Sequence, residues 1–157
     1  MITTSSIKEI KQGLQNLSPR ELMDIVAKLA AFKKENKEYL TYLLFDSLDE
    51  AAFVSSIKGE IDLDFDLHYT PNYYMAKKQV RKTLRMTKTY IRFSKNKQTE
   101  VELLLHFCHR LKHMSPRIHN CPVLENLLER QVNSIRKTLL TLHEDLRYDY
   151  EQELKKI

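Results

Sequence analysis

Apolar residues along this chain recur at intervals of three and four, the helical period, rather than at two. Ile7, Ile10 and Leu14 open the series behind Thr4, Ser5 and Ser6, which offer a cap, and predict a first helix to about Asn16. Ser18-Pro19-Arg20-Glu21 is a stronger start signal: a capping hydroxyl, a proline at the first helical position and a carboxylate three residues after the cap. Leu22, Ile25, Val26, Leu29 and Phe32 follow, and Lys33 to Lys37 closes this second helix with basic side chains near its negative end. A third helix from Glu38 to Leu48 carries Leu40, Leu43, Leu44 and Leu48 on one side and pairs with the second as a hairpin.

Asp49 and Glu50 favour the start of a fourth helix, with Phe53, Val54, Ile57 and Ile61 as its buried face. The letters EIDLDFDL from Glu60 to Leu67 alternate as a strand would, yet three aspartates and no partner strand argue for a fraying helix end and a loop before Pro71. A fifth helix runs from Pro71-Asn72 to about Ser94, and a sixth starts at Gln98 or Thr99 with Val101, Leu104, Phe107, Cys108 and Leu111 inside. Ser115-Pro116 ends it. The last helix is expected from Pro122 past Tyr150, because Leu128, Val132, Ile135, Leu139, Leu142 and Leu146 keep a four-three spacing.

Two glycines and four prolines in 157 residues are too few for the tight turns of a sandwich or barrel, whereas long helices with short links need few. The expectation is one all-α domain over residues 1–157 with about seven helices. Successive pairs of comparable length suggest stacked antiparallel pairs, a short solenoid in the manner of HEAT or armadillo repeats. A closed helical bundle is the alternative, since no repeat is legible in the letters. No apolar run approaches the ~20 residues of a membrane span, so no membrane partner is expected. The opening MITTSSIKEIKQ lacks the apolar core of a secretory signal, and two cysteines read as free thiols point to the cytoplasm.

Charge changes this picture at one place. Lys77 to Lys97 holds nine Lys/Arg and no carboxylate, while the rest of the chain has 17 basic residues against 21 acidic ones. Advancing about 100° per residue, Lys77, Arg81, Arg85, Lys88, Arg92 and Lys95 fall within about 80° of one another. Ala76, Val80, Leu84 and Ile91 fall on a separate, adjacent arc, so the helix can bury one side and present a ridge of cations. The ridge suits an acidic protein partner, or nucleic acid with Tyr74 stacking at its edge. The simpler account is a ridge that is solvated or neutralised within the fold. Glu60, Asp62, Asp64 and Asp66 precede it, and Glu144, Asp145, Asp149, Glu151 and Glu153 crowd the end of the chain.

Other candidates are weaker. Glu102, His106, His109 and His113 share one face of the sixth helix, and histidines four apart can hold one divalent ion; solvated histidines explain the same letters, and no metal is expected. Cys108 reads as a core residue, and Cys121 lies at a helix start that can lower a thiol pKa but has no base beside it. His143-Glu144-Asp145 with Asp149 reads as a solvated acidic face. The seam of the last helix can pair two copies, but it spans under three heptads, and packing within the chain is the better account.

The segments LSPRELMDIVAKLA, VRKTLRMTKTYIRFSKNKQTEVELLLHFC and LHEDLRYDY resemble an uncharacterised, all-helical family of bacterial proteins, a domain of unknown function, over roughly Ser18 to Tyr150. The resemblance implies a soluble bacterial protein and transfers no activity or catalytic motif. With no phosphate loop, dinucleotide fingerprint or serine elbow in the letters, the expectation is a non-enzymatic interaction module without a cofactor. It binds an acidic partner through the ridge, with nucleic acid as the alternative and a metal-dependent enzyme a distant third.

Overall fold

The computed structural model describes residues 3–67 and 72–157, and all regular structure among them is helical. The protein is all-α. Its elements are α1 (Ile7–Gln15), α2 (Pro19–Phe32), α3 (Lys34–Leu44), a 3-10 turn (Asp46–Leu48), α4 (Glu50–Leu67), α5 (Tyr73–Ser94), α6 (Lys97–Lys112), a second 3-10 turn (Ile118–Asn120), α7 (Pro122–Leu139) and α8 (Glu144–Lys155). They form two compact units, Met1–Leu44 and Phe45–Ile157.

In the first unit the starts of α1 and α2 are set by two capping boxes, Ser6 with Glu9 and Ser18 with Glu21. At the second, the Ser18 amide donates to Glu21 Oε2 at 2.8 Å and the Glu21 amide donates back to Ser18 Oγ at 3.3 Å. α2 and α3 pack on each other, as the hairpin reading expects. The break between them is narrower than Lys33 to Lys37: Lys33 alone is extended, and α3 begins at Lys34 rather than at Glu38. Asn36, already inside α3, donates its side-chain amide to the Leu29 carbonyl at 2.8 Å and so closes the end of α2. α3 also stops at Leu44, short of the expected Leu48, and Leu48 is exposed in the following turn. Among the described residues of this unit only Tyr42 is buried. A hairpin with one short extra helix has too little interior to do more.

The second unit is built around α6. Helices α4, α5, α7 and α8 all pack on it, an arrangement compatible with a closed bundle. Val101, Leu103, Leu104, Leu105, Phe107, Cys108 and Leu111 are all buried, more of the helix than the expected inner face of Val101, Leu104, Phe107, Cys108 and Leu111. An α-helix apolar on most of its circumference must be enclosed by neighbours. Here Ile61 of α4, Val80 of α5, and Leu124 and Ile135 of α7 complete the core, and Phe65 meets Phe107 edge-on at 5.8 Å.

Two expectations need correction. The EIDLDFDL stretch does not fray: α4 is helical through Leu67. Its aspartates meet partners on neighbouring helices, Asp62 with His106 and Arg110, Asp64 with Thr83, and Asp66 with Arg110, so alternation in the letters records two helix faces with different neighbours. The expected loop before Pro71 and helix start at Pro71 lie outside the described residues. The last helix is two. α7 ends at Leu139, the Thr141 and Leu142 amides close turns onto Thr138 and Leu139, and His143 caps α8 by accepting from the Asp145 amide at 3.5 Å. Glu144 and Asp145 then lie in the first turn of α8, where carboxylates favour a helix start. The four-three leucine spacing continues across the break, which concealed it.

Phe107 has no solvent-accessible surface. Phe107→Ala is expected to lower unfolding free energy by about 3–5 kcal/mol, because the cavity at the centre of α6 has no side free to collapse. Urea denaturation followed by far-UV circular dichroism measures it.

Candidate polyanion-binding site

The basic segment forms α5 almost as its phasing predicts. Asn72 caps it by accepting from the Tyr74 amide at 2.8 Å, and Lys95 ends it in the left-handed conformation, φ 55°, with its amide donating to Ile91. The buried residues are Ala76, Val80, Thr83, Thr87 and, in the last turn, Phe93, with Leu84 and Ile91 only half-buried. Two threonines therefore stand where leucine and isoleucine were expected. Their hydroxyls are satisfied: Thr83 donates to Asp64 at 2.8 Å, and Thr87 donates to the Thr83 carbonyl at 2.9 Å. This rotates the packed face away from the cations.

Arg81, Arg85, Lys88, Arg92 and Lys95 are exposed, and Lys77 is half-buried. Among the described residues no carboxylate pairs with Lys77, Arg81, Arg85, Lys88 or Lys95. Arg92 hydrogen-bonds Thr89 at 3.2 Å. Five of the carboxylates offered by the sequence as compensation, Asp62, Asp66, Asp145, Glu151 and Glu153, pair with other residues. Asp62 lies 2.8 Å from His106 and 3.2 Å from Arg110, and Asp66 also pairs with Arg110. Glu151 pairs with Arg147 at 3.6 Å, Glu153 with Lys156, and Asp145 with His143 at 3.4 Å. The ridge is thus a row about 27 Å long, taking 1.5 Å per residue, with cations every 4.5 to 6 Å, roughly. Exposed Tyr74 stands at its N-terminal end.

One cation was missed by the sequence reading. Arg130 of α7 lies across a groove from Arg81 and Lys88, because α5 and α7 both pack on α6. Nothing local in ENLLERQVNS signals this, since the pairing exists only through the third helix.

On the polar face of α6, His109 and His113 are exposed, while Glu102 and His106 are half-buried in separate contacts. Half-buried Glu102 accepts from Tyr150 at 2.7 Å and from Lys58 at 3.0 Å. His106 reaches Asp62, while the His109 and His113 rings lie 4.4 Å apart. Burial, then the charges of His113, His106 and Arg110, hold the His109 pKa below its ordinary value. No three of His, Cys, Asp or Glu among the described residues are grouped to hold a metal ion. Cys108 is enclosed and burial pushes its thiol up to about 12; Cys121, also buried, is at the N-cap of α7. His143, Glu144, Asp145 and Asp149 are exposed on α8. A separate hollow of about 970 Å3 near the end of α6 mixes Glu125 and Glu129 with Lys112, Arg117 and Arg136, so it has no single sign of charge.

No family model, curated protein or solved structure matches the chain. No helix among the described residues is long and apolar enough to cross a membrane.

Like charges around Arg85 make a specific demand on stability. Arg85→Glu places a carboxylate one turn from Arg81, Lys82 and Lys88, and is expected to raise stability by about 0.3–1 kcal/mol, where a neutralised arginine would give a loss. The shift in urea midpoint reads the sign.

Glu102 and Tyr150 predict a pH profile. Burial pushes the Glu102 carboxyl up, but hydrogen bonds from Tyr150, Lys58 and Gln98 and the Lys58 charge outweigh it and leave the pKa below 4.5. A lowered folded pKa gives stability that is present above the unfolded value and lost as pH falls through the folded one. Tyr150 is pushed up to about 12, first by burial and then by its bond to Glu102, so its contribution is present below the unfolded value near 10 and lost as pH rises through 12. Glu102→Ala is expected to cost about 1–3 kcal/mol at pH 7, with the gap to the parent narrowing below pH 4.5. Denaturation midpoints between pH 3 and 7, roughly, check it.

Proposed function

We propose that this protein is a non-enzymatic helical binding module whose α5 ridge, Lys77, Arg81, Arg85, Lys88, Arg92 and Lys95, holds the phosphate backbone of a nucleic acid. The observation that carries the reading is a five-turn row of cations in which Lys77, Arg81, Arg85, Lys88 and Lys95 pair with no carboxylate among the described residues. Isolated like charges three and four apart weaken a helix slightly, and phosphates spaced along a strand remove that repulsion while releasing counterions.

An acidic protein partner, the first expectation from the sequence, would use the same side chains. It is the weaker reading on composition. The centres of protein interfaces are apolar and depleted in lysine, whereas nucleic-acid interfaces are strongly positive and rich in Lys and Arg. The ridge has six cations and no apolar residue among them. Tyr74 at its edge and Arg130 across the groove extend the same chemistry.

Fluorescence anisotropy with a labelled oligonucleotide at a series of salt concentrations tests the reading. Binding is expected at low salt, with log affinity falling linearly against log salt by about 0.7 to 0.9 per phosphate neutralised. Joint reversal of Arg81, Arg85, Lys88 and Arg92 to Glu is expected to abolish it without loss of helical signal. No binding at low salt overturns the nucleic-acid reading, and retention of polyglutamate by the parent protein alone would then favour an acidic partner.

A further inference from the structure

The groove beside the ridge differs from the ridge in its chemistry. It runs between α5 and α7, measures about 580 Å3, and is lined by Arg81, Leu84 and Lys88 on one side and Val123, Leu127 and Arg130 on the other. No carboxylate lines it. Its volume falls within the range of small-ligand sites, roughly 300–1,000 Å3. Leu84 and Leu127 are half-buried and Val123 is exposed, so the groove keeps apolar surface uncovered between cations from two helices.

Two amides and the Ser134 hydroxyl complete the lining. Asn126 is exposed at the edge. Gln131 is 4% exposed; its Nε2 donates to the Leu127 carbonyl at 3.3 Å, and its Oε1 has no hydrogen-bond partner. A buried acceptor left unsatisfied is uncommon in folded proteins and calls for a donor. Cationic rims, an apolar floor and amides within one cleft match a nucleotide, which brings an anionic phosphate, a flat apolar face and polar edges together. A double helix keeps its base faces stacked and cannot place them in such a cleft.

We infer that the α5–α7 groove takes one nucleotide of an unpaired strand, its phosphate between Arg81 or Lys88 and Arg130 and its base against Leu84 and Leu127, giving preference for single strands over duplex. This rests on the nucleic-acid reading of the ridge. The ridge supplies attraction that is indifferent to strandedness, and the groove supplies the discrimination.

The test compares one sequence as a labelled single strand and as a duplex, at one salt concentration, on the intact chain and two surface variants. The parent is expected to bind the single strand about tenfold more tightly than the duplex, the scale of one base contact. Arg130→Glu is expected to weaken the single strand about tenfold and the duplex no more than about twofold, removing the preference. Arg85→Glu, outside the groove, is expected to weaken both in proportion. Equal affinity of the parent for both forms, or equal weakening of both by Arg130→Glu, overturns the groove inference and leaves the ridge reading standing. Failure of the parent to bind either form at low salt overturns both.

Discussion

Asp62 of α4 lies between His106 and Arg110 of α6, and the character of the second unit follows from that contact. It fixes α4 on the central helix and draws Asp62 and Asp66 away from α5. Asp64, on another face of α4, meets Thr83 on the packed side of α5. The distribution of partners, more than the number of charges, leaves a basic row on the surface.

Much of this was legible before any coordinates. Local chemistry sets the start of α2, the cap at Asn72 and the separation of cations from apolar residues along α5, and local chemistry is what a single sequence displays. What escaped has physical reasons. Thr83 and Thr87 are polar letters whose hydroxyls are satisfied inside, both by the helix's own carbonyls and Thr83 by Asp64 as well. The α7 to α8 break escaped because Leu139, Leu142 and Leu146 keep the helical interval while the backbone between them turns. Arg130 escaped because its relation to Arg81 is created by a helix in between. The three aspartates of α4 argued for a fraying helix end only until their partners, distant in sequence, were in place.

The two units differ in what holds them. α6 gives the second an interior with several fully enclosed side chains, whereas the first depends on capping boxes and the contact of α2 with α3. Met23, Val26, Leu29 and Phe32 stay exposed on α2. Hydrogen exchange should therefore be uneven, fastest in α1 and slowest near Phe107, because opening energies follow buried apolar contact.

Lys95 terminates the row at a backbone conformation that suits glycine. For a residue with a β-carbon the left-handed region costs on the order of 1–2 kcal/mol, and helix ends commonly avoid that cost by placing glycine there. This chain, with two glycines in all, keeps a lysine at the position. The choice sacrifices backbone comfort to carry the cationic edge to the last turn of the helix. Replacing Lys95 with glycine would make the corner cheaper and the edge one charge shorter, so backbone geometry and surface charge pull this residue in opposite directions.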